Sequence, residues 1–155
     1  MKRIVSLILA LMLTLSLCAC GEKEAEQVDL TAFYETLFTG DDAPMMMEAD
    51  ADMLDTIYPG LTEIPRVQTV AYTAAISLVP AEVVLIEVEN ADDVSKVEDI
   101  LRARISYQVD DLGAWYPATI ESWKNNSEVV SVGNYVALFV ADTKDAMVES
   151  FRALF

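Results

Sequence analysis

The sequence predicts a single α+β domain over residues 29–155, with a small antiparallel β-sheet of about three to four strands and helices packed on one face. Two observations support this fold class. Several segments repeat apolar residues every three or four positions, whereas residues 67–78 alternate with a period of two. The predicted strands and helices are mixed but do not follow one another as a βαβ series, which favours antiparallel pairing.

The first predicted helix begins after Asp29, a favourable N-cap residue, and Gly40 ends it. A second helix is predicted over about residues 46–58, because Pro59 and Gly60 stop the segment there. Both helices should turn an apolar stripe towards the sheet. The stripe of the first helix consists of Leu30, Phe33, Tyr34, Leu37 and Phe38.

Two strands are predicted next. Residues 67–78 should form a long strand with one covered side, because larger apolar residues occupy one face and small or polar residues the other. Val79-Pro80-Ala81 predicts a turn, and residues 83–88 predict a second strand that pairs with the first as a hairpin. The larger residues of the first strand are Val70, Tyr72, Ala74, Ile76 and Leu78.

Two helices should follow this hairpin. Asn90 is the predicted N-cap of one helix, and the other follows Pro117 and runs through Ile120 and Trp123. The first of these segments carries apolar residues at helical spacing. The residues predicted to be buried there are Val94, Val97, Leu101 and Ile105.

A second hairpin and a last helix complete the predicted domain. Residues 129–130 and 135–140 are strand-like, and they flank Gly133-Asn134, a dipeptide typical of tight turns. Asp142 then is the predicted N-cap of the last helix. The buried stripe of that helix should contain Met147, Phe151 and Leu154.

The first twenty residues predict a signal peptide. A basic start precedes an uncharged run over residues 4–20, which suits a secretory signal and is short for a membrane-spanning helix. The run ends in Leu17-Cys18-Ala19-Cys20, which resembles a bacterial lipobox. The resemblance implies that residues 1–19 are removed and that a diacylglyceryl group is attached to Cys20 through a thioether. The alternatives are an ordinary cleaved signal peptide or a short uncleaved anchor.

In this interpretation residues 20–28 are the lipidated cysteine and a polar tether, and the lipid holds the protein on the extracytoplasmic face of the cell membrane. Removing residues 1–19 takes away two basic residues and no acidic one, so the net charge changes from -16 to -18. A chain this acidic is not expected to bind nucleic acid. Cys20 would then be the remaining cysteine, and no intrachain disulfide could form.

Several short patterns in the second half of the chain carry a family resemblance. They are the strand Glu82-Val83-Val84-Leu85-Ile86-Glu87-Val88 with the amphipathic helix after it, then Gln108, Tyr116-Pro117, and Gly133-Asn134-Tyr135-Val136-Ala137-Leu138-Phe139. In this order, residues 61–155 resemble the bacterial lipoproteins called domain of unknown function 4358. The resemblance implies a surface lipoprotein of Gram-positive bacteria with no assigned activity and no catalytic residues.

The sequence contains no recognisable catalytic motif and no histidine, so we expect a protein that is not an enzyme and has no cofactor. Acidic residues are concentrated between residues 41 and 63. Glu48, Asp52 and Asp55 would share a helix face there and are a weak candidate for calcium binding, although their spacing does not fit an EF-hand. The alternative is an acidic surface exposed to solvent.

Trp115, Tyr116 and Trp123 are aromatic residues that could form a platform for sugar rings, and core or interface packing is the alternative. The favoured function is a non-catalytic binding module at the cell surface, with the membrane as one partner through Cys20 and a protein, peptide or cell-wall component as the other. The competing function is a carboxylate-dependent or calcium-assisted hydrolase of the cell envelope.

Overall fold

The computed structural model describes residues 27–40, 43–76, 78–111 and 116–155. In this part of the chain, five strands form one antiparallel sheet, so the α+β class is confirmed and the predicted number of three to four strands is wrong. Along the sheet the strands are ordered β1-β2-β3-β5-β4. The strands are β1 (Met46–Glu48), β2 (Arg66–Ala74), β3 (Glu82–Val88), β4 (Ser127–Val132) and β5 (Tyr135–Val140).

The described residues also form helices on both sides of this sheet. A π-helical turn over Tyr107–Asp111 extends the longest of them, and short 3-10 turns lie at Leu61–Glu63 and Ala91–Asp93. The α-helices are α1 (Leu30–Glu35), α2 (Ala51–Ile57), α3 (Val94–Ser106), α4 (Pro117–Asn126) and α5 (Lys144–Arg152).

The prediction that helices pack on one face of the sheet is wrong. On the first face, α2, α3 and α4 cover the sheet with side chains such as Leu54, Leu101 and Trp123. On the second face, α1 and α5 do so with side chains such as Phe33 and Phe151, whose ring centroids lie 5.9 Å apart. Alternate strand residues therefore enter two separate cores, and the domain has three layers.

The strand missed by the sequence pattern is β1. A helix was predicted over residues 46–58, but Met46–Glu48 pairs with β2, and the helix begins only at Ala51. The Asp50 side chain sets this start, because it accepts a hydrogen bond of 2.9 Å from the backbone N–H of Met53. Three residues are too few to show a strand period, and pairing with β2 decides their conformation.

The β2–β3 hairpin is confirmed, but β2 is shorter than predicted and both of its faces are covered. Val70 packs in the core of the second face and Ala71 in that of the first. The strand ends at Ala74, and the side chains of Ile76 and Leu78, which were predicted to share its covered face, are exposed. The second hairpin, β4–β5, is also confirmed, and Gly133 in its two-residue turn has a φ of 56°.

Two residues that were predicted to be helix N-caps, and one that was predicted to be buried, have other positions in the structure. Thr143 and not Asp142 is the N-cap of α5, and Leu154 lies beyond α5 with its side chain exposed. Asn90 precedes a 3-10 turn, which continues into α3 after Asp93. The other residues predicted to be buried in α3 and α5 do pack into the cores: Val94, Val97, Leu101, Ile105, Met147 and Phe151.

Different segments of the chain contact the two ends of the sheet. At the end where β3 finishes, called the tether end below, Gln27 and Val28 contact the sheet. At the end where β3 begins, called the groove end, the β2–β3 turn meets the first turns of α4 and α5. Residues 1–19 and most of the predicted 20–28 tether lie outside the described residues, and within those residues no helix is long and apolar enough to cross a membrane.

Candidate functional site

A groove of about 660 Å³ opens at the groove end of the sheet. It lies between the layers, because its walls come from the segment after α1, the β2–β3 turn and the first turns of α4 and α5. Its lining is mainly apolar, as expected of a site that binds a ligand or a partner segment. The apolar side chains at its centre are Leu37, Phe38, Pro44, Leu78, Val79 and Pro80.

The β2–β3 turn presents two of these side chains. The backbone N–H of Val79 donates to the carbonyl of Ile76 at 3.0 Å, and that of Ala74 donates to the carbonyl of Ala81 at 2.8 Å. These bonds close the turn next to the sheet. Leu78 and Val79 consequently project from the end of the hairpin and remain 52% and 41% exposed. Exposed apolar side chains beside a groove are typical of interaction surfaces.

The lining of the groove also contains polar residues. Asp142 is exposed, and one of its carboxylate oxygens accepts a hydrogen bond of 2.6 Å from the Asn126 amide. Thr119 and Ser122 of α4 and Thr143, the N-cap of α5, also line the groove and carry hydroxyl groups. Within the described residues Asp142 is the one carboxylate of the lining, and no lysine or arginine contributes to it.

A buried ion pair involves the first residue of β3, which follows the groove lining. Glu82 directly follows Ala81 of the lining and is 1% exposed. Its carboxylate accepts hydrogen bonds from Nε and Nη2 of Arg104 at 3.0 and 2.8 Å, and another from the Tyr58 hydroxyl. The guanidinium of Arg104 also lies 5.3 Å from the ring centroid of Trp123.

These contacts keep Arg104 in its charged form. Burial alone would lower the pKa of Arg104, but the hydrogen bonds and the charge of Glu82 outweigh it and raise that pKa. The pKa of Tyr58 is raised well above its ordinary value by burial and by the neighbouring Glu82 carboxylate. Tyr58 therefore remains a neutral hydrogen-bond donor, and the cluster joins three segments of the chain.

Residues 39–141 match the family described as Domain of unknown function (DUF4358). The chain belongs to this family. No curated protein and no solved structure matches it. The match begins upstream of residue 61, where the resemblance was predicted to start, and within the described residues it includes all five strands and leaves out α1 and α5.

At the tether end of the DUF4358 domain, Glu87 joins the N-terminal residues to the sheet. Its carboxylate accepts hydrogen bonds from the amides of Gln68 and Gln27 at 2.6 and 3.2 Å and from the Tyr135 hydroxyl at 2.9 Å. The Gln68 amide also donates to the carbonyl of Val28 at 2.8 Å. The chain therefore enters the domain at this end of the sheet.

The predicted lipidation residue, Cys20, lies outside the described residues. The candidate calcium ligands are described, but they do not share a helix face, because Glu48 lies on β1 while Asp52 and Asp55 lie on α2. One oxygen of Asp55 accepts a hydrogen bond of 2.9 Å from the Thr62 hydroxyl. Among the described residues, no group of three or more acidic or cysteine side chains could hold a metal ion.

The three aromatic residues considered as a sugar platform are separated. Trp115 lies outside the described residues, and Tyr116 is exposed at the start of α4. Trp123 is 4% exposed and packs in the core of the first face, so the packing alternative is correct for this residue.

Sequence reasoning identified neither the groove nor the ion pair of this DUF4358 domain. The groove residues come from four segments that are distant in the sequence, and no local pattern joins them. A signal for the ion pair was present, since Glu82 precedes a run of apolar strand residues and Arg104 replaces an apolar residue on the inner side of α3. A charge at each of two core positions suggests a buried pair.

Proposed function

We propose that this DUF4358 protein is a non-catalytic binding module, attached to the extracytoplasmic face of the cell membrane through a lipid on Cys20. The observation that carries the proposal is the arrangement of the domain: the chain enters at the tether end, and the apolar groove opens at the opposite end of the sheet. An anchored domain with this arrangement presents its groove away from the membrane.

Chain lengths support this orientation. Gln27 follows Cys20 by seven residues, which span at most about 25 Å when fully extended. Along β3 the groove end is about 17 Å from the tether end, since Glu87 and Glu82 are five residues apart at about 3.3 Å per residue. The groove would reach the lipid surface only if the tether folded back along the domain and spanned about two-thirds of its maximum length.

The composition of the groove supports binding over hydrolysis. Glycoside hydrolysis requires two carboxylates on opposite sides of the scissile bond. In the described lining, Asp142 is the single carboxylate, and the surrounding side chains are apolar or carry hydroxyl groups. Glu82 lies nearby, but it is buried and paired with Arg104. The geometry therefore favours recognition of an apolar surface.

The anchor is tested by membrane fractionation of cells that express the full chain. Cys20→Ala should move the protein from the membrane fraction to the soluble fraction, because the acylated thiol is lost. Cys18→Ala is the matched control, since it changes the neighbouring cysteine and leaves the lipidated residue in place. Retention of Cys20→Ala in the membrane fraction would contradict the anchor.

The binding role is tested by photo-crosslinking in intact cells. A photoreactive amino acid at Leu78 in the groove should give a discrete adduct, and the same group at Val67, which is 50% exposed at the tether end, should not. Digestion of the adduct with a protease or a muramidase assigns its chemical class. If neither position gives an adduct, the binding role is wrong.

A further inference from the structure

Building on the proposed function, we infer that the groove accepts an apolar peptide segment of another protein, and that this segment is uncharged or basic. Two features of the groove support this assignment: the apolar surface around it and its position opposite the tether. The orientation of neighbouring copies in one membrane and the net charge of the domain support it as well.

Exposed apolar side chains surround the groove. Ile76 is 57% exposed in the turn that also carries Leu78 and Val79. Met45 joins this surface, because its carbonyl accepts a hydrogen bond of 2.8 Å from the backbone N–H of Ala75. Tyr116 extends it beside the first turn of α4. These exposed residues are close in the chain to the lining residues Pro44, Leu78 and Ala118, and exposed apolar side chains beside a groove are typical of protein-binding sites.

The position of the groove disfavours a lipid occupant. Gln27 and Val28 are held at the tether end by hydrogen bonds to Glu87 and from Gln68. With a tether that does not fold back along the domain, the anchored membrane lies beyond the opposite end of the sheet, and this position favours an occupant that comes from the extracytoplasmic side.

A second copy of the chain is also disfavoured. Two copies anchored in one membrane are related by rotation about the membrane normal, because both tethers must lead to the same surface. Upright copies touch side by side, and their outward-facing groove ends do not face each other. An isologous contact through the groove would require both copies to tilt towards each other on their tethers.

The charge of the domain and the aromatic content of the groove narrow the chemical class of the occupant further. The predicted mature chain carries a net charge of -18, and in the described lining Asp142 is not offset by any basic residue, so an acidic segment would be repelled. Sugar rings usually stack on aromatic faces, and Phe38 is the single aromatic residue among the described lining residues. The hydroxyl groups of the lining residues suit the N–H and carbonyl groups of a peptide backbone.

The test uses three synthetic ten-residue peptides. The first contains leucine, valine and alanine between terminal lysines, the second replaces the lysines with glutamates, and the third replaces the apolar residues with serine and glutamine. Binding to the chain from residue 20 with Cys20→Ser is measured by fluorescence anisotropy. We expect the first peptide to bind about tenfold more tightly than either of the others.

Two variants test whether the first peptide binds in the groove. Val79→Asp places a carboxylate in the groove and should weaken binding of the first peptide about tenfold. Val67→Asp makes the same change at an exposed residue of the tether end and should leave binding unchanged. Both positions are exposed, so neither variant is expected to unfold the domain.

Other results would overturn the inference. Equal binding of the polar and apolar lysine peptides would indicate attraction by charge alone, and equal loss in both variants would place the site elsewhere. Binding to phosphatidylglycerol vesicles that Val79→Asp abolishes would indicate a lipid occupant, and sedimentation as a dimer that Val79→Asp dissolves would indicate a second copy. If Leu78 gives an adduct in cells while all three peptides fail to bind, the binding role stands and the peptide assignment is wrong.

Discussion

Glu87 is a half-buried carboxylate that connects the chain entry to two strands of the sheet. It accepts hydrogen bonds from Gln68 on β2, from Tyr135 on β5 and from Gln27 at the start of the domain. Burial alone would raise its pKa, but these hydrogen bonds outweigh burial and lower the pKa from its ordinary value of 4.5. The charge of Glu87 therefore helps to hold Gln27 against the sheet, together with the contacts of Gln68 to Val28 and Leu30.

This pKa shift makes the free energy of unfolding depend on acid pH. As the pH falls, the unfolded chain takes up a proton at Glu87 before the folded protein does. The stabilisation is therefore complete above about pH 4.5 and is lost as the pH falls through the lower folded value. Glu87→Gln should lose less stability than the unchanged protein between about pH 6 and pH 3. Urea unfolding of both proteins at these two pH values measures the change in the free energy of unfolding.

The control for this measurement is Glu89→Gln, which changes an exposed carboxylate at the same end of the sheet. Its acid dependence should resemble that of the unchanged protein. Equal acid sensitivity of Glu87→Gln and the unchanged protein would show that the hydrogen bonds to this carboxylate do not contribute to stability.

The ion pair of Glu82 and Arg104 joins two elements. Glu82 is the first residue of β3, and Arg104 lies in the last turn of α3, so the pair holds the end of the helix over the sheet. Tyr58, which follows α2, also donates to Glu82. Three elements of the first face therefore meet at one carboxylate.

Replacing one partner of this pair should destabilise the fold. Arg104→Met leaves Glu82 buried without its counter-ion, and we expect a loss of about 3–5 kcal/mol in the free energy of unfolding. The double variant Glu82→Gln with Arg104→Met should recover most of it, because no buried charge remains. Denaturant unfolding of the unchanged protein, Arg104→Met, Glu82→Gln and the double variant measures the coupling.

A matched control lies on the same helix. Arg102 is exposed, and its guanidinium is 3.7 Å from the Glu98 carboxylate, so Arg102→Met should cost about 0–1 kcal/mol. If the double variant loses as much as the two single changes added together, Glu82 and Arg104 are not energetically coupled.

At the level of elements, the sequence pattern was reliable where a periodic segment was long enough. Apolar residues at helical spacing identified α3, because Val97 and Leu101 repeat over several turns. Pattern reasoning failed for β1, where three residues adopt the conformation imposed by β2, and for the ends of α1 and β2. The groove could not be predicted, because its lining is brought together only by the tertiary fold.

In the whole molecule, the two faces of the sheet are covered by different parts of the chain. The helices of the first face, α2, α3 and α4, lie within the family match to residues 39–141. The helices of the second face, α1 and α5, lie on either side of it and pack against each other through Phe33 and Phe151. The matched region alone is therefore not a complete folding unit.

A chain truncated after Ala141 should not fold cooperatively. The truncation removes Met147, Val148 and Phe151, which are buried on the second face, and loss of one such side chain costs about 2–5 kcal/mol. The combined loss approaches the stability of a typical domain, about 5–15 kcal/mol. Thermal unfolding should show no cooperative transition, and a hydrophobic dye should bind the exposed face. Truncation after Ala153 removes Leu154 and Phe155, which are partly exposed, and should keep a cooperative transition at a lower temperature, because only the contacts of Phe155 with Tyr135 and Phe151 are lost.

The contact between Phe33 and Phe151 also affects the rate of folding. It joins the first helix to the last, so almost the whole domain must form a closed loop before the contact exists, and such long loops slow folding. The β2–β3 and β4–β5 hairpins have much shorter loops and should form earlier. A chain that emerges with its N-terminus first would therefore expose the second face of the sheet until α5 has also emerged. Aggregation at that stage would compete with completion of the fold.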